Sequence, residues 1–171
     1  AQDRLVEKDF ANRIGAATAP HAAVDSLDDL QAAMANIGPR AVLKTRRMGY
    51  DGKGQVMLDR DADLGAAWEA MAGAPSILEG FIPFDGEVSV IAARGLDGTV
   101  SAYPPIANRH RDHILDISTV PAELSAAQAD RAIAIAADLA TALDYVGILA
   151  VEMFVTGEAL LVNEIAPRVH N

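Results

Sequence analysis

The sequence predicts an α+β fold made of two modules. Apolar residues recur at helical spacing in four segments, and short apolar runs bounded by glycine or proline predict strands between them. From residue 87 onward the predicted strands pair through tight turns, which is typical of an antiparallel sheet. A chain of 171 residues is long enough for one domain or two small ones.

The first module is predicted to follow a short leading helix. That helix covers residues 4–14, where Leu5, Phe10 and Ile14 are apolar among charges. The next elements are a helix from an Asp25 or Ser26 cap to about Ile37, strands at 41–44 and 55–58, a helix at 61–71 and a strand at 76–84. This order describes an αββαβ module, and we expect its boundary with the second module at residues 81–85.

The second module is predicted as an antiparallel sheet with one helix. Asp97 and Gly98 separate two alternating runs, and we expect a type I′ hairpin turn there, since both central residues of that turn need positive φ. Ser125 and Gln128 form a capping box for a helix that ends near Leu143. The predicted strands are residues 87–96, 99–103, 113–120, 147–155 and 159–165.

Composition argues against several classes of function. Because 14 basic residues stand against 24 acidic ones, giving a formal net charge of -10, a general nucleic-acid binder is disfavoured. The absence of cysteine excludes disulfides, thiolate catalysis and cysteine zinc sites. We see neither a signal peptide nor an apolar run of roughly 20 residues, so we expect a soluble, cytoplasmic protein without a membrane partner.

A basic, glycine-rich segment joins two predicted strands of the first module. The stretch "LKTRRMGYDGKGQVML", residues 43–58, holds three glycines, two lysines and two arginines. Glycine lets backbone N–H groups approach an anion, while Lys44 and Lys53 supply positive charge. The spacing matches neither GxxxxGK[ST] nor GxGxxG. A triphosphate site and a solvated hairpin loop are both compatible with this stretch.

Two carboxylates interrupt the apolar strands near the end of the chain. An ionised Glu152 or Glu164 is costly to bury unless it is paired or bound to a metal. An odd number of residues between the last paired positions around residues 156–157 would place both glutamates on one face, diagonally adjacent. They could then share Mg²⁺, which takes one or two carboxylates plus phosphate oxygens. Ion pairs with arginines are the alternative, and the nearby Asn163 and Arg168 favour the metal.

The connector between the two modules carries polar groups suited to a nucleoside. Glu79 ends a strand, Phe81 and Ile82 follow it, and Glu87 begins the next strand. Such a linker can offer backbone groups to an adenine edge and a carboxylate to ribose hydroxyls. His110, with Arg109 and Arg111 beside it, adds cationic donors, although runs of this kind are more often plain surface loops.

Four blocks of the sequence together resemble one enzyme family. They are "LKTRRMGYDGKGQ", "LEGFIPFDGEVSVIAARG", "HRDHILDISTVPA" and "VEMFVTGEALLVNEIAPRVHN", in this order along nearly the whole chain. They are similar to blocks of the 5-(carboxyamino)imidazole ribonucleotide synthases, ATP-grasp enzymes of de novo purine biosynthesis. The resemblance implies an ATP-grasp fold, in which a small αββαβ lid module packs against a larger antiparallel sheet with helices and the two clamp ATP.

The resemblance also implies a division of the chain. It gives a leading helix at residues 1–18, a small lid subdomain at 19–82 and a large subdomain at 83–171 that is truncated at its C-terminus. Family chains are longer at both ends, with a nucleotide-fold domain before this region and a carboxyl-terminal module after it. We therefore expect a fragment that retains ATP and magnesium binding but whose turnover alone is doubtful. A homodimer is an expectation for the full-length protein only.

The resemblance further implies the residues of the site. Lys44 would hold the phosphates, residues 49–55 would close over them, residues 79–82 would receive adenine, and Glu87 the ribose. The full set of implied ATP ligands is Arg4, Lys44, Gly49, Tyr50, Asp51, Gly52, Lys53, Gly54, Gln55, Glu79, Gly80, Phe81, Ile82, Glu87, His110, Asn163 and Glu164. The implied magnesium ligands are Glu152 and Glu164. The implied substrate residues are Tyr50, Asp51, Arg168, His170 and Asn171, of which Tyr50, Asp51 and Arg168 are the catalytic candidates.

The reaction implied by the resemblance is an ATP-dependent carboxylation. Bicarbonate is phosphorylated to carboxyphosphate, and its carboxyl group passes to the exocyclic amine of aminoimidazole ribonucleotide, with ADP and phosphate as products. Other ATP-grasp enzymes, such as a biotin carboxylase or a formate-dependent ribonucleotide transformylase, would share Lys44, the connector and the two glutamates. A nucleotide-binding module without catalysis is the third hypothesis. The block around Tyr50 and the "APRVHN" end favour the aminoimidazole enzyme.

Overall fold

The computed structural model describes residues 3–47, 54–111 and 114–168. Contacts divide the chain into two compact units. The small unit is formed by Gln2–Val6 and Ala19–Ile82, and the large unit contains Glu7–Thr18 and the chain from Pro83 onward. The elements are α1 (Arg4–Arg13), β1 (His21–Val24), α2 (Leu27–Ile37), β2 (Ala41–Thr45), β3 (Gln55–Leu58), α3 (Leu64–Ala70), β4 (Ser76–Gly80), β5 (Gly86–Arg94), β6 (Val100–Ala102), β7 (Ile106–Arg111), β8 (Ile114–Thr119), α4 (Ala126–Ala142), β9 (Gly147–Thr156) and β10 (Ala159–Ala166). The predicted α+β class is confirmed.

The small unit is an antiparallel sheet with helices packed on one face. Its strands lie in the order β1-β4-β2-β3, so β4 is hydrogen-bonded on both sides. Leu43 and Leu78 face α2 and α3 and are fully buried with Leu30. Because side chains alternate along a strand, Lys44 and Glu79 lie on the other face of the sheet.

The large unit is a six-stranded antiparallel sheet covered on one face by α4. The main order is β10-β9-β5-β7-β8, and β6 pairs with β5. The predicted capping box is confirmed, since the Ser125 side chain accepts from the Gln128 N–H and the Gln128 side chain accepts from the Ser125 N–H. Leu139 of α4 is buried in one core cluster with Val90 and Val151, so the alternate residues of β5 and β9 lie on the uncovered face.

The hairpin between β5 and β6 is present, but the predicted type I′ turn is wrong. The last paired residues are Arg94 and Val100, so five residues form the loop. Only Gly98, with φ of 83°, has positive φ within this loop. The Asp97 carboxylate accepts hydrogen bonds of 3.0 Å from both the N–H and the hydroxyl of Thr99, which lower the pKa of Asp97 below its usual value. Asp97 therefore uses its side chain to form the turn.

Two other expectations needed correction. The predicted helix at 61–71 is shorter, since α3 begins at Leu64 and Asp63 caps it by accepting a 3.0 Å hydrogen bond from the Ala66 N–H. The charged run "ANRHRD" is of a kind found more often in surface loops, but Ile106–Arg111 forms strand β7, between β5 and β8. Its charges hid the strand, because Ile106 and Ala107 are its only apolar residues. No helix within residues 3–47, 54–111 and 114–168 is long and apolar enough to cross a membrane.

Candidate functional site

Lys44 and Glu79 form an ion pair on the uncovered face of the small sheet. The Lys44 Nζ lies 2.9 Å from the Glu79 Oε2, and the two side chains are only 18% and 5% exposed. Neighbouring strands place them there, since Lys44 pairs with Ile77 and Glu79 pairs with Val42. A cation this well covered requires a partner of opposite charge. The structure therefore provides a fixed ammonium group that an anion can approach.

The connector after β4 has most of its first N–H groups already bonded. The Gly80 N–H donates to the Pro20 carbonyl over 2.8 Å, and the Phe81 N–H donates to the Arg40 carbonyl over 3.1 Å. The Arg40 guanidinium also stacks over the Phe81 ring, 3.9 Å from its centroid. No hydrogen bond joins the Ile82 N–H to any residue in the described part of the chain. This N–H is available to an acceptor on a ligand.

Arg4 and the end of β2 are joined by a second charged cluster in the small unit. The Arg4 N–H donates to the Arg46 carbonyl over 3.0 Å, and its guanidinium donates to the Thr45 carbonyl over 3.4 Å. The buried Asp3 carboxylate accepts from Arg46 at 3.1 and 2.9 Å and from Arg47 at 3.2 Å. Burial acts to raise the pKa of Asp3, but these arginine bonds and the Val6 N–H lower it below its usual value.

Gly54 and Gln55 are the described end of the glycine-rich segment. The Thr45 N–H donates to the Gly54 carbonyl over 2.9 Å, and Gln55 pairs with Lys44 across the sheet. Gly54 has φ of 69°, and a Cβ atom there would lie 2.9 Å from the Thr45 Oγ1. Both the backbone conformation and the close approach require glycine at this position.

The uncovered face of the large sheet gathers the polar residues of four strands. The register places Glu87 opposite Asn108, Ser89 opposite Glu152, and Glu152 opposite Glu164. Directly opposed residues of antiparallel strands point to the same face. The strand pairing therefore brings Glu87, Glu152 and Glu164 onto one surface, although 77 positions of sequence separate the first from the last.

A hydrogen-bonded chain supports this face from β7. His110 Nδ1 contacts the Glu87 carboxylate. The Asn108 amide donates to the Ser89 hydroxyl over 2.9 Å and accepts from the Ser118 hydroxyl over 3.0 Å. Both ends of the Asn108 amide are thereby used, which fixes its orientation. Sequence reasoning missed Ser89 and Asn108, and the available signal was a serine within the apolar run "VSVIAA".

A β-bulge brings Glu164 into line with Glu152. Only two residues, Gly157 and Glu158, lie between the paired Thr156 and Ala159, so the odd number that would place both glutamates on one face does not occur. A regular ladder would instead set Asn163 opposite Glu152. The register shifts between Val162 and Glu164, and Glu164 becomes the residue opposite Glu152. One extra residue in the strand thus restores the shared face by directly opposed pairing, whereas diagonal adjacency was expected.

The donor set on this face suits a hard divalent cation. Opposed residues of an antiparallel pair have Cβ atoms about 4.5–5.5 Å apart. At this separation the carboxylates of two opposed glutamates can reach one ion. Magnesium prefers one or two carboxylates and takes its remaining oxygens from phosphate and water. No group of three or more His, Asp or Glu side chains within the described ranges is arranged to hold a metal alone. Glu152 and Glu164 therefore fit a magnesium ion that a polyphosphate also ligates.

Of the remaining predicted site residues, the structure describes only Arg168 beyond the two sheets. Arg168 is exposed two residues beyond β10, where its N–H donates to the Ala166 carbonyl over 2.8 Å. The following predicted residues lie outside the described part of the chain: Gly49, Tyr50, Asp51, Gly52, Lys53, His170 and Asn171.

A family model, curated proteins and solved structures are all similar to this chain. The ATP-grasp domain family matches residues 9–171. The N5-carboxyaminoimidazole ribonucleotide synthase of Brucella melitensis is 50% identical over 174 residues, which cover 100% of this chain. An ADP complex of an N5-carboxyaminoimidazole ribonucleotide synthetase superposes with a TM-score of 0.93 at 41% identity, over 99% of this chain and 45% of that one. The Aspergillus clavatus enzyme, in complex with ADP and 5-aminoimidazole ribonucleotide, has a TM-score of 0.88 at 25% identity, over 99% and 44%.

These similarities extend over the whole chain but over only part of each relative. The chain spans about half the length of the curated relatives it matches, since it covers 48% of the Brucella protein. The fold expected from the sequence blocks, an ATP-grasp fold, is confirmed by the family match and by the superposed structures.

Proposed function

Because the chain belongs to the ATP-grasp family, we propose that it is the part of an N5-carboxyaminoimidazole ribonucleotide synthase that binds ATP and magnesium. The observation that carries this proposal is the bulged pairing of Glu152 with Glu164 on the same sheet face as Glu87. Two opposed carboxylates on a face that otherwise carries hydrogen-bonding groups form a cation site in a nucleotide-binding fold. The 50% identity to the Brucella synthase supports the choice of reaction.

We propose that the connector after β4 recognises adenine. The N–H groups of Gly80 and Phe81 already have acceptors, so the Ile82 N–H is the donor left for a ring nitrogen of the base. The cation–π contact between Arg40 and Phe81 holds this backbone segment in place. A purine edge would thus be read by a main-chain N–H that, at this position, only substitution by proline removes.

We propose that Glu87 accepts hydrogen bonds from the ribose hydroxyls. Its carboxylate is paired with His110, which leaves acceptor capacity on a group that carries two oxygens. The contact with His110 orients the carboxylate before the nucleotide arrives. Preorganisation of this kind lowers the entropy cost of binding.

We propose that Lys44 binds the phosphates, with Arg4 and the segment from Gly49 to Gln55 as further ligands. The Lys44 ammonium is held by Glu79 at 2.9 Å and is therefore positioned rather than freely rotating. Glu152 and Glu164, with Asn163 beside them, would hold magnesium. When bound, the cation offsets the negative charge of the triphosphate and of the phosphoryl group during transfer.

The proposed reaction joins bicarbonate to an amine. A bicarbonate oxygen attacks the γ-phosphorus of ATP, the bond to the β-phosphate oxygen breaks, and carboxyphosphate and ADP form. Carboxyphosphate releases phosphate and carbon dioxide, and the exocyclic amine of aminoimidazole ribonucleotide attacks the carbon and loses a proton. Tyr50, Asp51, Arg168, His170 and Asn171 are the proposed substrate residues. The work of the protein is positioning, charge stabilisation and exclusion of water from a labile intermediate.

The experiment that tests this function is magnesium-dependent nucleotide binding by the chain. We expect calorimetry to detect ADP binding that strengthens with added Mg²⁺, and we expect Glu164→Gln to remove most of that dependence. Glu158→Gln, an exposed glutamate in the turn of the same hairpin, is the matched control and should bind like the wild type. Nucleotide binding by Glu164→Gln with unchanged magnesium dependence would reject the proposed cation site.

A further inference from the structure

Two ionisable side chains of α1 are buried against the bulge in β10. Glu7 is 6% exposed and Lys8 is 2% exposed. The Glu7 Oε1 accepts a short hydrogen bond of 2.6 Å from the Ile165 N–H. The Lys8 Nζ donates to the Asn163 carbonyl over 3.2 Å. These two contacts lie on either side of Glu164.

The edge position of β10 explains why backbone groups are available on either side of the bulge. On the side away from β9, the N–H and C=O groups of an edge strand have no neighbouring strand to bond. Buried N–H and C=O groups must find other partners, because leaving them unbonded costs free energy. Glu7 supplies an acceptor for the Ile165 N–H, and Lys8 supplies a donor for the Asn163 carbonyl.

Bonding these backbone groups with charged side chains costs desolvation free energy. Burying a carboxylate and an ammonium group carries a desolvation penalty, and apolar residues of similar volume often give equal or greater stability. A position selected for stability alone would therefore not require this pair. The contacts instead fall on the residues that determine where Glu164 lies.

We propose that Glu7 and Lys8 are positioning residues that hold the bulge at Asn163, so that Glu164 faces Glu152 and both can bind one magnesium ion. If the bulge closed, Glu152 would lie opposite Asn163, and Glu164 would move to the face of the sheet that α4 covers. This inference rests on the proposed function, since it assigns a support to the cation site. Neither residue touches the nucleotide or the metal.

The test compares variants that remove one contact each. Glu7→Ala removes the acceptor, Glu7→Gln keeps an acceptor oxygen while removing the charge, and Lys8→Met keeps the aliphatic chain while removing the donor. Asp85→Ala is the matched control, because the Asp85 carboxylate also accepts from a backbone N–H of the same hairpin, that of Gly157 at 2.7 Å, away from the bulge. For each chain, ADP binding is titrated at a series of Mg²⁺ concentrations and Tm is measured.

The expected result separates positioning from general stability. Removing a group that orients a metal ligand typically weakens metal affinity by about 10- to 100-fold, and we expect this range for Glu7→Ala and Lys8→Met. Glu7→Gln should largely restore the affinity, because its amide oxygen can still accept from Ile165. Asp85→Ala should lower Tm without changing the magnesium dependence.

Two results would overturn the inference. If Glu7→Ala and Lys8→Met bind ADP with the magnesium dependence of the wild type, the bulge does not need them. If Glu7→Gln is as impaired as Glu7→Ala, the effect is one of charge near the cation and not of position. If Glu7→Ala does not fold, the magnesium dependence of ADP binding by Lys8→Met tests the inference in its place. Absence of any magnesium dependence in the wild-type chain would instead reject the proposed function itself.

Discussion

The Lys44 ammonium lies 2.9 Å from the Glu79 carboxylate, within the small unit. The sequence resemblance assigned these residues to opposite ends of a nucleotide, phosphate and adenine. In the structure the Glu79 side chain holds the lysine, and in our proposal it is the connector after it that offers main-chain groups to the base. The pair thus links the two ends of the proposed site.

Removing the ammonium group should affect both stability and binding. Lys44→Met leaves Glu79 buried without its lysine partner, and such a loss costs about 3–5 kcal/mol. ADP affinity should also fall, since the phosphates lose a cation. The double variant Lys44→Met with Glu79→Gln separates the two effects: urea unfolding should show recovered stability, while calorimetry should show affinity that stays low. Recovery of both would mean that Lys44 does not bind the nucleotide.

Gly54→Ala should destabilise the small unit. The position has φ of 69°, and the added Cβ would lie 2.9 Å from the Thr45 Oγ1. The left-handed conformation alone costs an L-residue about 1–2 kcal/mol. Urea unfolding measures the loss. Gly86→Ala is the control, because it has no positive φ and its Cβ would meet nothing within 4 Å, so equal effects of the two substitutions would contradict the argument.

Asp3→Asn should produce a loss of stability that depends on pH. Because the arginines lower the pKa of Asp3 in the folded chain, its contribution is present above the unfolded pKa and is lost as pH falls through the folded pKa. Hydrogen bonds to charged groups contribute about 1.5–3 kcal/mol each at most, so we expect a deficit of that order at pH 7. Urea unfolding at several pH values should show wild type and variant converging below about pH 4.

The control for this pH dependence is Asp61→Asn, an exposed aspartate of the same unit. It should leave the urea midpoint nearly unchanged at every pH. A constant difference between wild type and Asp3→Asn from pH 7 to pH 3 would show that the ionised Asp3 is not what stabilises the Arg46 and Arg47 contacts.

Local signals in the sequence predicted the helices and most strands correctly. The Ser26 and Ser125 caps and the apolar spacing behind them were sufficient for α2 and α4, because caps and periodicity act over a few residues. β7 could not be recognised in this way, since it contributes little apolar area and its central Asn108 is bonded to Ser89, 19 residues earlier. Only the assembled sheet gives that polar strand its partners.

The strand register limited how much of the candidate site could be predicted from the sequence. Their position inside apolar strands singled out Glu152 and Glu164, and whether they share a face was expected to depend on the parity of the turn. Parity fails here because the bulge at Asn163 adds one residue inside β10, and nothing local in "LLVNEI" signals it. The sequence also gave no signal for the roles of Glu7 and Lys8, because both contact residues 155 or more positions away.

The central place of β4 in the small sheet has a consequence for solvent exchange. Its amides belong to a strand bonded to β1 on one side and β2 on the other, so they become accessible only when one of those ladders opens. Deuterium uptake in β4 should therefore follow global unfolding of the small unit, whereas the edge strands β1 and β3 should exchange sooner through local fraying. The proposed adenine connector is thus attached to one of the two inner strands of its sheet, for which we expect slow exchange.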